Sequence, residues 1–407
     1  MTAGIIRRFA LLLLSVLLLA RAGAAWAEGR TPLILVSIDG FRADYLDRGL
    51  SPNLAALAAG GARAERMIPS FPSITFPNHY TLVTGLYPDH HGIIANGFED
   101  PRVSPAPFRM TSKEAGWWNQ ATPIWMSAER QGVRTGLMFW PGSEVAFGGQ
   151  RPSLWAPYDR GVSADARVDR VLAWLDLPPA ERPLFFTLYF EAVDSAGHAA
   201  GPDSDAVNRA IAGVDEAIGR LVQGLKARGI DANLVVVADH GMAEVPPAHV
   251  ILLDRLADVA ALHVVFQDAV LGVDIDRTPA GAAARAKLLA PHDHMSCWDK
   301  AKVPARFHYG ANPRVPDVVC LAETGWLIET AEDATRHRAP VRGEHGYDNA
   351  DPMMGALFIA NGPAFQRGLV IQPFPNVDVY PLLTDLLDLK PEPNDGRLQD
   401  LQPILAH

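Results

Sequence analysis

Four short apolar runs dominate the hydrophobic pattern of the chain. They lie at 33–38, 184–190, 234–238 and 357–360, and each is bounded by polar residues or glycine. Continuous runs of this length and composition are typical of strands that are buried on both faces of a parallel sheet. The pattern therefore predicts a central sheet with little exposed surface.

Helical patterns separate these runs. Between 204 and 228, apolar residues recur every three to four positions, at Val207, Ile211, Val214, Ile218, Leu221 and Leu225. This spacing predicts an amphipathic helix, and the alternation of strands with helices favours an α/β fold. The stretch 246–341 is less regular, and we expect it to form a small inserted subdomain before the chain returns to the sheet.

The N-terminus has the layout of a signal peptide. Arg7 and Arg8 precede the apolar stretch 9–20, and Ala25-Trp-Ala27 offers a cleavage site with small residues. The apolar stretch is shorter than the ~20 residues that span a bilayer. We expect cleavage after Ala27, a secreted or periplasmic mature domain of residues 28–407, and no membrane span after cleavage. A retained anchor is the alternative.

Charge and cysteine content narrow the class of protein. A net charge of −10, without a basic cluster, argues against a stable nucleic-acid partner. In an exported chain, an isolated pair such as Cys297 and Cys320 more often forms a disulfide than a metal site. We expect a disulfide that staples the inserted subdomain, with two buried thiols as the alternative. We also expect a monomer.

Polar residues follow three of the predicted strands, where ligands bind in open α/β sheets. Together with two further histidines they form a set of three carboxylates and three imidazoles: Asp39, Asp194, His198, Asp239, His240 and His345. This mixed oxygen and nitrogen set suits zinc at two adjacent positions, where two metal ions would clamp a phosphoryl group. A group of satisfied polar loop residues is the alternative.

A hydroxyl nucleophile for such a site is expected in the segment 70–80. Ser70, Ser73 and Thr75 all lie there, and the pattern alone does not choose among them.

The motifs around these residues resemble the nucleotide pyrophosphatase/phosphodiesterase family of the alkaline phosphatase superfamily. The matching segments are Ser37-Ile-Asp-Gly-Phe-Arg42, Pro72-Ser-Ile-Thr-Phe-Pro-Asn-His79, Thr84-Gly-Leu-Tyr-Pro-Asp-His-His-Gly92, Asn96, Phe139-Trp-Pro-Gly-Ser143, Asp194-Ser-Ala-Gly-His198, Asp239-His-Gly-Met242 and Gly343-Glu-His-Gly-Tyr347. They follow the family's order over nearly the whole mature chain. The resemblance implies a mixed, mostly parallel sheet flanked by helices on both faces, and a bacterial member with the catalytic domain alone.

The resemblance also implies the roles of the site residues. One zinc ion would be bound by Asp39, Thr75, Asp239 and His240, and the other by Asp194, His198 and His345. Thr75 would be the nucleophile and would form a phosphothreonine. Asn96, with the backbone N–H of Thr75, would hold a phosphate oxygen. The alternative for Asn96 is a turn at Asn96-Gly97.

Aromatic residues match the family's nucleotide pocket. Phe76 and Tyr158 match the positions that sandwich the base, and Tyr189 matches another residue of the pocket lining. Stacking of this kind contributes ~1 to 3 kcal/mol per base and tolerates different bases. The alternative is that Tyr189 belongs to the core and Tyr158 to the surface.

The expected activity is hydrolysis of phosphodiester or phosphoanhydride bonds in nucleoside triphosphates, dinucleotides or nucleotide diesters, with release of nucleoside monophosphates. Phosphodiesterases of choline phospholipids or glycerophosphodiesters, and phosphomonoesterases of the same superfamily, are alternatives, because aromatic rings also bind choline. A protein that binds zinc or another ligand without catalysis is the alternative outside the enzymes.

Overall fold

The structure is a computed structural model that describes residues 30–336 and 342–406. The predicted signal peptide lies outside these residues. Within the described ranges, no helix combines the length and the apolar character that crossing a membrane requires.

The described residues alternate between strands and helices along most of their length. The strands are β1 (Leu33–Ile38), β2 (Ala62–Ala64), β3 (Met67–Ile68), β4 (Thr135–Met138), β5 (Leu154–Ala156), β6 (Phe185–Phe190), β7 (Asn233–Val237), β8 (Ala243–Glu244), β9 (Val250–Leu252), β10 (Leu262–Phe266), β11 (Val270–Ile275), β12 (Met295–Asp299), β13 (Val318–Ala322), β14 (Leu327–Glu329), β15 (Gly343–Glu344), β16 (Phe358–Asn361), β17 (Leu369–Ile371) and β18 (Phe374–Pro375). The α-helices are α1 (Pro52–Gly60), α2 (Thr75–Thr84), α3 (Pro88–His91), α4 (Ile124–Arg130), α5 (Ala164–Leu175), α6 (Ala192–Ala200), α7 (Asp205–Ala227), α8 (Pro279–Leu288), α9 (Ala331–Arg336) and α10 (Val379–Leu386).

An eight-stranded sheet forms the centre, in the order β17-β2-β16-β7-β1-β6-β4-β5. β16 runs antiparallel to both of its neighbours, and the other neighbouring strands are parallel. Every residue of β1, β6 and β7 is buried, which agrees with the continuous apolar runs. The prediction of a mixed, mostly parallel sheet is confirmed, with each predicted strand within one residue of its observed bounds.

Two groups of helices cover the sheet. In one group α7 packs against α1, α5 and α6, and in the other α2 packs against α3, α4 and α10. The predicted helix at 204–228 corresponds to α7, whose six apolar positions are all buried. The Ser204 hydroxyl accepts a hydrogen bond from the backbone N–H of Val207 and so caps the start of this helix.

A second sheet occupies much of the stretch that we could not interpret from the sequence. It is antiparallel, in the order β10-β11-β13-β12. Some of its residues pack in a separate hydrophobic cluster, while Val270, Val319 and Leu321 belong to the main core. Cys297 and Cys320 lie directly opposite each other on β12 and β13 and form a disulfide, so the expected disulfide is confirmed. The bond joins the two strands across this smaller sheet.

Arg314 connects this region to the central domain. The Arg314 side chain is only 1% exposed, and its Nε forms an ion pair with Asp100 Oδ2 at 3.0 Å. It also donates hydrogen bonds to the backbone oxygens of Gly92 and Trp117, at 2.8 and 2.7 Å. One buried side chain therefore fixes both ends of the segment 92–118.

Replacing Arg314 by methionine is expected to destabilise the fold by about 3 kcal/mol, because Asp100 keeps only the exposed Arg102 as a partner and the backbone oxygens of Gly92, Gly116 and Trp117 lose this donor. Urea denaturation monitored by circular dichroism measures this loss. Arg306→Met is the matched control, since the Arg306–Asp348 pair lies at the surface with Arg306 52% exposed. Its loss should cost under about 1 kcal/mol. Equal shifts in the two midpoints would contradict the buried role of Arg314.

Candidate active site

The carboxyl ends of three neighbouring strands bring the predicted donors together. β6, β1 and β7 are adjacent in the sheet, and Asp194, Asp39 and Asp239 follow them in that order. Because these strands are parallel, they end at the same edge, where open α/β sheets bind their ligands. The remaining donors reach this edge from α6, from the loop after β7 and from the loop after β15: His198, His240 and His345.

The first group of donors is Asp194, His198 and His345. Asp194 and His198 are four residues apart on α6 and therefore share one face, with Asp194 Oδ1 3.3 Å from His198 Nε2. His345 Nε2 lies 3.1 Å from His198 Nε2 and 3.6 Å from Asp194 Oδ1. β15 brings His345 here by pairing with β8, which begins three residues after His240. These three donors form a group that could hold a metal ion.

The second group surrounds Asp239. Asp239 Oδ2 lies 3.0 Å from His240 Nε2, and Asp39 Oδ1 lies 3.6 Å from the same nitrogen. Asp239 Oδ1 accepts a hydrogen bond from the backbone N–H of Gly40 at 3.1 Å. Gly40 has φ +67°, and a Cβ there would lie 2.9 Å from Asp194 Cα. The absence of a side chain at Gly40 therefore allows the two groups to approach each other.

Each of the three imidazoles is oriented by a backbone oxygen. The Nδ1 atoms of His198, His240 and His345 lie 2.9, 2.9 and 3.0 Å from the carbonyl oxygens of Gly343, Gly241 and Ser73, respectively. Each Nδ1 donates to its carbonyl, and the Nε2 atoms therefore point into the site. This is the usual arrangement of histidines that bind a metal through Nε2.

Three buried carboxylate oxygens lack a hydrogen-bond partner among the described residues: Asp39 Oδ1, Asp194 Oδ1 and Asp239 Oδ2. A buried, uncompensated anion is strongly unfavourable. All three atoms face imidazole nitrogens at the same strand ends, where Asp39 and Asp194 also cluster with His240. The donor set and its unpaired oxygens therefore fit divalent cations that accept mixed oxygen and nitrogen ligands.

The titration of these groups reflects their crowding. Burial, with the charges of Asp239 and Asp194, raises the pKa of Asp39 well above its usual range. Burial also lowers the pKa of His345, and the neighbouring His240 adds to this effect. Burial opposes a charge on His198 as well, but Glu344 and Asp194 outweigh it and raise the pKa of His198 to about 10. The protonated form of His198 is thus favoured beside Asp194, and a bound metal ion would take the place of the proton on His198.

Thr75 is placed beside the second group. It is the first residue of α2, it is 9% exposed, and its Oγ1 lies 3.3 Å from His240 Nε2. The start of a helix carries partial positive charge and backbone N–H groups, which favour a phosphate. Asn96 Oδ1 accepts a hydrogen bond from the backbone N–H of Phe76 at 2.8 Å. Since this bond uses the amide oxygen, the NH₂ group of Asn96 is the part that can donate to a ligand.

His79 is a site residue that we did not predict. Its Nδ1 donates to the backbone oxygen of Thr75 at 2.9 Å and lies 3.3 Å from Asp239 Oδ2. Its Nε2 lies 2.9 Å from the hydroxyl of Ser37. His79 follows Thr75 by four residues, so the helical spacing was a signal that it shares the same face of α2. The contacts indicate that His79 orients Thr75 and Asp239.

A cavity of about 560 Å³ opens beside the donors, and the three predicted aromatic residues all line it. Phe76 packs edge-on against Phe108, with ring centroids 6.0 Å apart. Tyr158 is 45% exposed at the mouth, and its ring centroid lies 6.1 Å from that of Tyr189. The Tyr189 hydroxyl donates to Asp39 Oδ2 at 2.6 Å, so this ring joins the cavity to the donor cluster. The volume lies within the range of small-molecule sites.

This architecture and the position of the site define an alkaline-phosphatase-like α/β protein. The chain belongs to the type I phosphodiesterase / nucleotide pyrophosphatase family, whose model matches residues 33–348.

Two curated relatives illustrate the similarity. An uncharacterized pyrophosphatase/phosphodiesterase of Schizosaccharomyces pombe is 39% identical over 393 residues, which are 92% of this chain and 80% of that protein. Ectonucleotide pyrophosphatase/phosphodiesterase family member 3 of Bos taurus is 38% identical over 92% of this chain and 44% of its own length. The chain thus spans less than half the length of this animal relative.

Solved structures of ectonucleotide pyrophosphatase/phosphodiesterase 5 show the same fold. The human protein superposes with a TM-score of 0.87 at 32% identity, covering 92% of this chain and 100% of that one. An inactive threonine-to-alanine variant of the murine protein, in complex with AMP, gives a TM-score of 0.88 at 32% identity over 93% and 100% of the two chains.

Zinc is expected to stabilise the fold, because it would compensate the buried carboxylates. At a free zinc concentration 100 times the dissociation constant the gain is about 2.7 kcal/mol. Thermal unfolding of chelator-treated protein, with and without added zinc, measures the effect. The zinc-induced rise in unfolding temperature should be smaller in Asp239→Ala but unchanged in Asp169→Ala. Asp169 is a suitable control because its carboxylate pairs with Arg220 at the surface. An unfolding temperature that does not respond to zinc would contradict the metal site.

Proposed function

We propose that the protein is a two-zinc phosphodiesterase and nucleotide pyrophosphatase that releases nucleoside monophosphates through a phosphothreonine on Thr75. The observation that carries the proposal is the position of the Thr75 hydroxyl, at the start of α2 and 3.3 Å from His240 Nε2, at the strand ends where three buried carboxylate oxygens lack a hydrogen bond among the described residues. A helix start, a hydroxyl and a strongly acidic donor cluster are the components needed to bind metal ions and a phosphoryl group together.

We assign the donors to two zinc ions as the family resemblance implies. Asp39, Thr75, Asp239 and His240 would hold one ion, and Asp194, His198 and His345 the other. Bound zinc lowers the pKa of an adjacent hydroxyl or water and neutralises charge on the phosphoryl group.

Thr75 attacks phosphorus through Oγ1. The Oγ1 proton is lost to solvent as the bond from Oγ1 to phosphorus forms and the bond from phosphorus to the leaving group breaks. Water then gives its oxygen to phosphorus and a proton to Oγ1, which releases the nucleoside monophosphate and restores the hydroxyl. The NH₂ group of Asn96 and the N-terminus of α2 stabilise the charge that develops on the phosphoryl oxygens. His79 Nδ1 donates a hydrogen bond to the backbone oxygen of Thr75 and so holds Thr75 in place.

The cavity supplies the nucleotide site in this proposal. Phe76 and Tyr158 hold the base by stacking, while Tyr189 has a second function, since its hydroxyl is hydrogen-bonded to Asp39. The AMP in the murine relative supports a nucleotide as the substrate. Export, a monomeric state and a bacterial source remain predictions, and the disulfide agrees with an oxidising compartment.

Substitution of Thr75 tests the nucleophile. Thr75→Ala should lower kcat by at least about 10³-fold, because no covalent intermediate can form, whereas Thr75→Ser, which keeps a hydroxyl, should retain activity within about 100-fold of the wild type. Steady-state hydrolysis of a p-nitrophenyl ester of a nucleoside monophosphate gives both values. An alanine variant as active as the serine variant would exclude Thr75 as the nucleophile.

Asn96→Ala is expected to lower kcat by about 10²- to 10³-fold, as loss of one donor to a developing anion does elsewhere. KM should change much less, and the zinc content should not change, because Asn96 contacts the backbone of Phe76 rather than the donor cluster. Kinetics with the same ester, combined with metal analysis, separate these effects. A variant that loses zinc would instead assign Asn96 a structural role.

The substrate class is tested by comparing that ester with p-nitrophenyl phosphate and p-nitrophenyl phosphorylcholine, before and after chelation. The proposal requires the nucleotide ester to have the highest kcat/KM and requires chelation to abolish turnover. A preference for phosphorylcholine would support the choline-phospholipid alternative. Zinc binding without turnover of any of the three substrates would support the alternative of a protein that binds zinc or another ligand without catalysis.

A further inference from the structure

Arg160 lines the cavity but has no place in the chemistry described above. Its Nη2 donates to the hydroxyl of Ser195 at 2.6 Å. Ser195 directly follows Asp194 on α6, and both residues line the cavity together with His198 and His345, so the guanidinium is held on the wall that these donors share.

The acidic residues of the cavity wall near Arg160 have other partners. Glu191 forms a bidentate ion pair with Arg167. Glu144 forms an ion pair with Lys113 and accepts a hydrogen bond from the backbone N–H of Tyr158. Among the residues that the structure describes, no carboxylate lies within ion-pair distance of Arg160, and its one side-chain partner is a neutral hydroxyl. The positive charge of Arg160 therefore remains available to a ligand.

The direction of attack shows which part of a ligand Arg160 can reach. In phosphoryl transfer the nucleophile and the leaving group lie roughly in line on opposite sides of phosphorus. Thr75 lies beside the Asp239 group, and Arg160 lies beside the Asp194 group. A leaving group opposite Thr75 therefore departs on the side of the cavity where Arg160 is held.

We propose that Arg160 binds the phosphates of a polyphosphate leaving group and makes nucleoside triphosphates preferred substrates over esters with uncharged leaving groups. Guanidinium groups pair with phosphate oxygens through two parallel hydrogen bonds, and exposure at the cavity wall lets Arg160 do so without leaving Ser195. This assignment rests on the proposed function and specifies the substrate class of that site.

The test compares Arg160→Ala and Arg160→Lys with the wild type on two substrates that share a nucleotidyl group. ATP carries a pyrophosphate leaving group, and the p-nitrophenyl ester of AMP carries none. Arg160→Ala should lower kcat/KM for ATP by about 10- to 100-fold and change kcat/KM for the ester by less than about 3-fold, since only the first substrate loses a charge-assisted contact. The kcat/KM of Arg160→Lys for ATP should lie between the values of the wild type and Arg160→Ala. Arg220→Ala, which removes a surface arginine paired with Asp169, is the control for net charge.

Equal losses on both substrates, or no loss on ATP, would overturn the assignment. A second measurement does not require turnover: calorimetric binding of ATP and AMP to Thr75→Ala protein. The advantage of ATP over AMP should disappear when Arg160→Ala is added, and an unchanged advantage would overturn the assignment even if the catalytic proposal holds. Selective binding of ATP through Arg160 by a wild-type protein that hydrolyses neither substrate would contradict the proposed function and support the anion subsite.

Discussion

The site depends on three carboxylates that approach one another at the ends of adjacent parallel strands, two of them buried and Asp194 largely so. Asp39, Asp194 and Asp239 would repel each other in a low-dielectric interior, and each keeps one oxygen without a hydrogen bond in the described part of the chain. The imidazoles around them donate their Nδ1 protons to backbone oxygens, so each Nε2 can offer a lone pair to a metal ion that displaces its proton. The fold thus holds carboxylates whose mutual repulsion bound metal cations would reduce. The same cations would attract a phosphoryl group.

Much of this arrangement could be predicted from the sequence because it follows the order of the strands. Asp39 and Asp239 lie within two residues of an apolar run, and Asp194 and His198 are one helical turn apart, so their convergence required only a parallel sheet. Thr75 could not be chosen over Ser70 and Ser73 from pattern alone, because all three are polar residues in one loop-to-helix segment. The resemblance made that choice, and the structure places Thr75 beside His240.

Other features depend on contacts between distant parts of the chain. His79 contacts Asp239 across 160 residues of sequence, and no local pattern predicts that pairing. The small antiparallel sheet was missed because polar residues or glycine interrupt β10, β11 and β12, at His263, Gly272 and Ser296, and leave no continuous apolar run. Arg314 is similar: from the sequence it is one arginine among many, and its contacts with Asp100, Gly92 and Trp117 exist only once the loop between β12 and β13 packs on the segment 92–118.

That contact also determines when the cavity can exist. The segment 92–118 contributes Asn96, Met110 and Trp118 to the wall, yet the guanidinium that secures it lies about 200 residues later in the chain. During synthesis the early strands can emerge and begin to pair long before Arg314 is made, because chains are extended from the N-terminus. This contact therefore cannot secure the wall on the Asn96 side until Arg314 has been made. Ligand binding is in this sense a property of the nearly complete chain, even though the nucleophile and the first carboxylate belong to its first fifth.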